Sequence, residues 1–214
     1  MRFPNAYKGI SKIYLAELLV IIAAIATAIA SVLAGIAVGI GNEEDATVIA
    51  LIGGAGIIVL VAGILFIIAF IVNVVGVNDA SKDELKFKHA LYAIIVNIVV
   101  TIIGLFLTGI ANDICDLVGE IAGIVTTIFI IQGIMALGNK IGSEDLVNRG
   151  KFLLKLIVAI WVITFVLTIL SGFVLGETAA VVAGILSIVA SVLSIVQYIA
   201  YLIYLSRAKK ALAE

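Results

Sequence analysis

The feature of this chain that most constrains its fold is a series of apolar runs, each twenty or more residues long. Residues 47–77, for example, contain no charged side chain. Because hydrocarbon offers no partners to backbone N–H and C=O groups, a chain in a bilayer forms either α-helices or a closed barrel. Runs of this length match a membrane-crossing helix, whereas barrel strands would give short alternating segments. The runs therefore predict an all-α integral membrane protein.

The composition of the whole chain argues against a soluble domain. Of its 214 residues, 64% are hydrophobic and 13% are charged, and the mean hydropathy is +1.34. A soluble domain could not bury so much apolar surface, so we expect the lipid bilayer to surround the protein. The apolar run after Lys12 continues to Ile40, which is longer than the core of a secretory signal peptide. We interpret it as a retained span.

The distribution of cationic residues predicts the orientation of the spans. All thirteen Lys and Arg residues fall into four clusters, at the N-terminus, after the second apolar run, after the fourth run and at the C-terminus. The gaps between the clusters hold only acidic charges, such as those of Glu43, Glu44 and Asp45. Cationic segments resist translocation. We therefore expect six transmembrane helices in a bacterial cell membrane, with the N- and C-termini in the cytoplasm.

Turn signals divide the chain into six helices, predicted over about 11–40, 47–77, 82–110, 117–137, 151–173 and 179–205. Each even-numbered helix carries an amide after a short apolar step, at Asn73, Gln132 and Gln197. The next cation follows each amide 8 to 10 residues later, so we expect the three amides at a similar depth. We interpret the chain as a single domain of three antiparallel helical hairpins related by an internal repeat, over about 8–80, 82–140 and 144–207.

Polar side chains inside the apolar runs are the candidates for a ligand-binding site. They are Glu17 in the first helix, Asn97 in the third, and the three amides Asn73, Gln132 and Gln197. An amide in hydrocarbon must turn to a partner helix or to a polar ligand, and an intramembrane carboxyl group is a functional candidate by default. Two interpretations of the amides stay open, because they could line a passage or only hydrogen-bond neighbouring helices.

Small residues at helical spacings predict close packing between helices. The second helix repeats alanine at a seven-residue period, and the first and fourth helices carry glycines four residues apart. The candidate packing residues are Gly35, Gly39, Ala55, Ala62, Ala69, Gly119 and Gly123. Such faces also suit the docking of a membrane-protein partner or of a second copy of the chain.

The sequence has too few reactive groups for the common catalytic and metal sites. It contains one histidine, His89, and one cysteine, Cys115. A single cysteine excludes an intrachain disulfide and a cysteine-based metal cluster, and a nucleophile–base pair needs a second group besides His89. No phosphate-binding glycine loop or zinc-protease motif occurs in the chain. We therefore expect a non-enzymatic protein with no cofactor, no metal and no nucleic-acid partner.

Residues 8–13, Lys-Gly-Ile-Ser-Lys-Ile, resemble the opening motif of small, uncharacterised multi-span membrane proteins of Gram-positive bacteria. That resemblance covers mainly the first twenty residues and implies no known activity. In size and six-helix topology the chain also resembles the substrate-binding subunits of energy-coupling-factor transporters. Those subunits dock through small residues spaced four apart in the first helix, and Ala26, Ala30 and Ala34 fit that spacing. The threefold hairpin pattern argues against this second family.

Two functions therefore remain as hypotheses. The first is a non-enzymatic polytopic membrane protein that binds or passes a small solute through a polar interior between its helices, as the three amides and Glu17 indicate. The alternative is a structural or assembly subunit of a membrane complex, including a substrate-binding transporter subunit. The small-residue faces and the lack of paired charges inside the spans favour that alternative.

Overall fold

A computed structural model describes the backbone of residues 2–40, 46–173 and 177–213, and the side chains of residues 2–39, 47–164 and 188–213. The described backbone forms no strand and six helices: α1 (Pro4–Ile40), α2 (Ala46–Ala80), α3 (Leu85–Gly104), α4 (Ile110–Ile141), α5 (Glu144–Phe173) and α6 (Glu177–Ala213). The predicted all-α class with six helices is confirmed for this part of the chain. The acidic turn at Glu43, Glu44 and Asp45 lies outside it.

Five helices are long and apolar enough to cross a membrane, judged by length and composition over the described residues. They are α1, α2, α3, α4 and α6. Several helices extend beyond their predicted ends. Helix α1 begins at Pro4, where the missing N–H of proline costs no helical hydrogen bond.

The predicted turn at residues 111–116 is wrong, because these residues lie inside α4. The turn lies earlier, between the end of α3 at Gly104 and the start of α4 at Ile110. Gly109 precedes α4 with a φ of 63°, which glycine adopts without the steric penalty of a side chain. Apolar residues such as Phe106 occupy this turn. Because they are as hydrophobic as the neighbouring spans, hydropathy did not indicate a turn here.

The most extensive helix pairing joins α1 to α2. Buried alanines recur every seven residues in both helices, at Ala16, Ala23, Ala30 and Ala37 and at Ala55, Ala62 and Ala69. A seven-residue period keeps one seam of a helix facing its partner, as in a coiled coil. Gly9 and Gly76 extend the two series, and a Cβ on Gly76 would lie only 2.8 Å from the Gly9 carbonyl oxygen. Since the start of α1 meets the end of α2 at this contact, the two helices run antiparallel.

Gly35 and Gly39 of α1 lie off this seam. Both are exposed, and nothing lies within 4 Å of a Cβ built on either. The four-residue glycine spacing therefore does not mark the face of α1 that packs on α2, because two long helices stay in register along a seven-residue repeat. Ala30, which fits the docking spacing of transporter subunits, is 1% exposed within the seam.

The buried core lies toward one end of the helices. All six helices contribute to it, with members that include Ile10, Val77, Phe87, Ile134, Leu153 and Leu205. Each helix contacts the next in sequence, and α6 returns to contact α1. Toward the opposite end, large apolar side chains such as Ile25, Val32 and Ile57 are exposed.

Five ion pairs between described residues lie beside this core, at what we call the cationic end, and three of them join segments that are distant in the sequence. They are Lys12–Asp79, Lys82–Asp79, Lys140–Glu84, Arg149–Asp145 and Arg207–Asp145. The four cationic clusters of the sequence thus meet at one end of the molecule. A hydrogen bond from Arg149 lowers the pKa of the Asp145 carboxyl group below its ordinary value. The two pairs of Asp145 are exposed on both partners, and an exposed pair stabilises a fold by only about 0–1 kcal/mol.

Candidate functional site

Two of the predicted polar residues meet in a groove between α2, α3 and α4. Asn73 of α2, Asn97 of α3 and Thr126 of α4 line the groove, which has a volume of about 240 Å³. The rest of its wall is formed by Phe70, Val74, Ile94 and Gly123. Three different helices therefore each contribute one polar side chain, and the wall contains no charged group.

Asn97 is held in place by two hydrogen bonds. Its Nδ2 donates to the Gly119 carbonyl oxygen at 2.8 Å, and its Oδ1 accepts from the Thr101 hydroxyl at 3.3 Å. Neither Gly119 nor Gly123 has to be glycine to admit this amide, since a Cβ on Gly119 would meet nothing within 4 Å and one on Gly123 would lie at an ordinary contact distance of 3.8 Å from Nδ2. The two glycines that the sequence predicted as packing residues thus lie where Asn97 reaches the backbone of α4.

Asn73 and Thr126 retain hydrogen-bonding capacity. The Oδ1 atom of Asn73 is buried and has no hydrogen-bond partner among the described residues. The Thr126 hydroxyl donates to the Ala122 carbonyl at 2.8 Å, so its oxygen can still accept a hydrogen bond. A buried polar atom without a partner costs about 1–3 kcal/mol. The groove therefore combines an unsatisfied amide and an available hydroxyl oxygen with an uncharged wall.

Gln132 and Gln197 do not line this groove. Both side chains are half-buried, and no hydrogen bond between described residues joins either of them to Asn73. Of the three amides expected at a similar depth, only Asn73 thus lines it. Asn97 and Thr126 complete its polar set instead. Depth along a helix does not decide which way a side chain points, because that depends on the rotation of each helix about its own axis.

Glu17 lies at a different contact, between α1 and α6. The Tyr198 hydroxyl donates to Oε2 of Glu17 at 2.7 Å and to the backbone carbonyl oxygen of the same residue at 3.1 Å. The ion pairs between described residues do not include Glu17, and the cation of Lys12 is bound to Asp79 at 2.6 Å. Sequence reasoning missed Tyr198 as the partner of Glu17, because the two residues are 181 positions apart.

The Lys-Gly-Ile-Ser-Lys-Ile segment near the N-terminus packs α1 onto α2. Gly9 contacts the backbone of Gly76, Ile13 is fully buried, and Lys12 pairs with Asp79. The glycine permits close approach, the isoleucines fill the core and the lysine closes the contact at the cationic end. The seven-residue alanine period of α2 indicated this seam from the sequence, and Gly76 continues that period.

Among the described residues, no group of three His, Cys, Asp or Glu side chains could hold a metal ion. No family model, curated protein or solved structure matches the chain.

Proposed function

We propose that the protein is a non-enzymatic polytopic membrane protein that binds a small uncharged solute in the groove between α2, α3 and α4. The observation that carries this proposal is the convergence of Asn73, Asn97 and Thr126, from three helices, on one groove within apolar segments. Polar groups are costly in hydrocarbon unless they find partners. The Oδ1 atom of Asn73 has no partner among the described residues. If the amide rotates toward the groove, a bound solute could donate a hydrogen bond to this oxygen.

The chemistry of the wall selects the class of solute. Because the wall has no charged side chain, an ion entering it would lose water without gaining a counter-charge. Phe70, Val74 and Ile94 offer apolar contact. A neutral molecule with a hydroxyl or amide group on an apolar body satisfies both parts of the wall. The volume of about 240 Å³ limits the bound part to a small molecule or to the head of a larger amphiphile.

The proposal includes six spans arranged as three hairpins of common origin, with both termini in the cytoplasm of a bacterial cell. The three most extensive helix pairings support the hairpins, since they join α1 to α2, α3 to α4 and α5 to α6. The meeting of all four cationic clusters at one end supports the orientation, because cationic segments stay on the cytoplasmic side.

Thermal unfolding of the purified protein with three single-chain amphiphiles tests solute binding. A monoacylglycerol is the neutral probe, and a fatty acid and an alkyltrimethylammonium of equal chain length are the charged comparisons. We expect the monoacylglycerol to raise the unfolding temperature most, and Asn73→Leu to remove that selective rise. Gln197→Leu is the matched control, because it removes a half-buried amide outside the groove. An unchanged selective response in Asn73→Leu, or equal responses to all three amphiphiles, would contradict the proposal.

A second candidate function is that of a structural or assembly subunit. Glycines are exposed on both helices of the first pair, and nothing lies within 4 Å of a Cβ built on Gly35, Gly39, Gly53, Gly56 or Gly63. Glycine faces let another helix approach closely in a bilayer. The partner is then a membrane protein or a second copy of this chain. Cross-linking in native membranes that yields only the monomer would count against this candidate.

A further inference from the structure

We propose that Glu17 and Tyr198 form a proton-binding site within the membrane, at the contact of α1 with α6. The site is independent of the proposed solute groove, because neither residue lines that groove and the two lie between different helices. Its ligand is a single proton, exchanged between the Glu17 carboxyl group and water.

The position of Glu17 isolates its carboxyl group from water-exposed charges. Glu17 lies five residues beyond Lys12, about 7 Å further along α1, and residues 18–40 carry no charge. Its side chain is half-buried against α6. An ionised carboxylate at such a place is costly unless a cation or a set of hydrogen bonds compensates for the lost water.

Within the described residues, tyrosine hydroxyl groups lie beside Glu17 and no cation pairs with it. On α2, residues 47–77 contain no titratable side chain. On α6, the only titratable side chains between residues 178 and 206 are tyrosines. Tyr198 contacts Glu17 directly, and Tyr201 is buried on the same helix. Lys12, on α1 itself, is bound to Asp79 at 2.6 Å.

The geometry of Tyr198 accommodates both protonation states of Glu17. Its hydroxyl oxygen lies 2.7 Å from Oε2 and 3.1 Å from the backbone carbonyl oxygen of Glu17. When Glu17 is protonated, its O–H donates to the tyrosine oxygen, and the tyrosine O–H donates to the carbonyl. When the proton leaves for water, the tyrosine O–H turns to the carboxylate, where a charge-assisted hydrogen bond stabilises the negative charge. The carboxyl O–H bond breaks, the proton binds to water, and no other covalent bond forms or breaks.

Labelling with dicyclohexylcarbodiimide tests this site in the full chain, reconstituted in phosphatidylcholine vesicles. This apolar reagent adds to protonated carboxyl groups in apolar surroundings, and mass spectrometry locates the adduct. We expect Glu17 to be labelled, with labelling that falls as pH rises, and Glu17→Gln to lose that adduct. Labelling of the wild type at Glu17 with no dependence on pH would overturn the proposal, as would failure of the reagent to label Glu17 at any pH.

Tyrosine variants separate a proton site from a simple contact between helices. Tyr198→Phe removes the donor that stabilises the ionised form, so the pH midpoint of Glu17 labelling should rise by about one unit or more. Tyr204→Phe is the matched control, because this tyrosine is buried on the same helix but makes no hydrogen bond to Glu17 among the described residues. Equal midpoints in Tyr198→Phe and the wild type would overturn the role of Tyr198 in proton binding.

Discussion

Replacing Gly9 by alanine tests whether direct backbone contact holds α1 against α2. The added methyl group would clash with the Gly76 carbonyl oxygen and would lie 2.6 Å from the Ala80 nitrogen and 2.7 Å from the Ala80 Cβ. None of these atoms can rotate away, because they belong to the backbone or to a Cβ. Ordinary carbon contacts are about 3.5–4.0 Å, so the helices would have to separate locally by roughly 1 Å.

Two effects of opposite sign determine the expected change in the free energy of unfolding. Alanine favours the helix over glycine by about 0.8–1.0 kcal/mol, whereas overpacking a tight contact costs about 1–3 kcal/mol. Gly35→Ala gives the same gain in helix propensity without a clash, since nothing lies within 4 Å of its Cβ. The difference between the variants isolates the packing cost. We expect Gly9→Ala to be less stable than Gly35→Ala by about 1–3 kcal/mol.

The assay is reversible unfolding of the purified variants in mixed micelles, followed by helical circular dichroism as the fraction of sodium dodecyl sulfate rises. Gly76→Ala should behave like Gly9→Ala, because its Cβ would lie 2.8 Å from the Gly9 carbonyl oxygen. Equal stability of Gly9→Ala and Gly35→Ala would refute the reasoning, since both would then have only gained helix propensity.

Three further predictions concern helix ends and contacts, and the same micelle titration checks each of them. Gly142→Ala should cost about 1–2 kcal/mol, because Gly142 ends α4 with a φ of 75°, and Gly142→Asn should cost less. Gly133→Ala should cost about 1–3 kcal/mol, because its Cβ would lie 2.6 Å from the buried Phe87 ring. The hydrogen bond from Arg149 lowers the pKa of Asp145, so its stabilising contribution is present at neutral pH and is lost as pH falls through that lowered pKa. The stability difference between the wild type and Asp145→Asn should therefore shrink toward zero in acid.

Part of the candidate site could be predicted from single residues. Asn73 and Asn97 stand out because amides are rare in apolar spans and need partners there. Thr126 does not stand out, because a threonine can satisfy its hydroxyl on its own helix, as this one does with Ala122. Gln197 resembled Asn73 in type and expected depth, yet it does not line the groove. Whether such a side chain faces the groove depends on the rotation of its helix about its own axis. Packing against other helices sets that rotation.

The sequence by itself determined the helical class and the contact face of α2. Lipid leaves the backbone of a long apolar run no alternative to the helix, and the seven-residue alanine period, ending at Gly76, marks a seam that can face a neighbour. Only the tertiary structure decided that Glu17 meets Tyr198 and that Asn73 shares a groove with Thr126. The physical reason is that uniformly apolar helices can rotate with little change in burial, so specific contacts between distant segments choose the orientation.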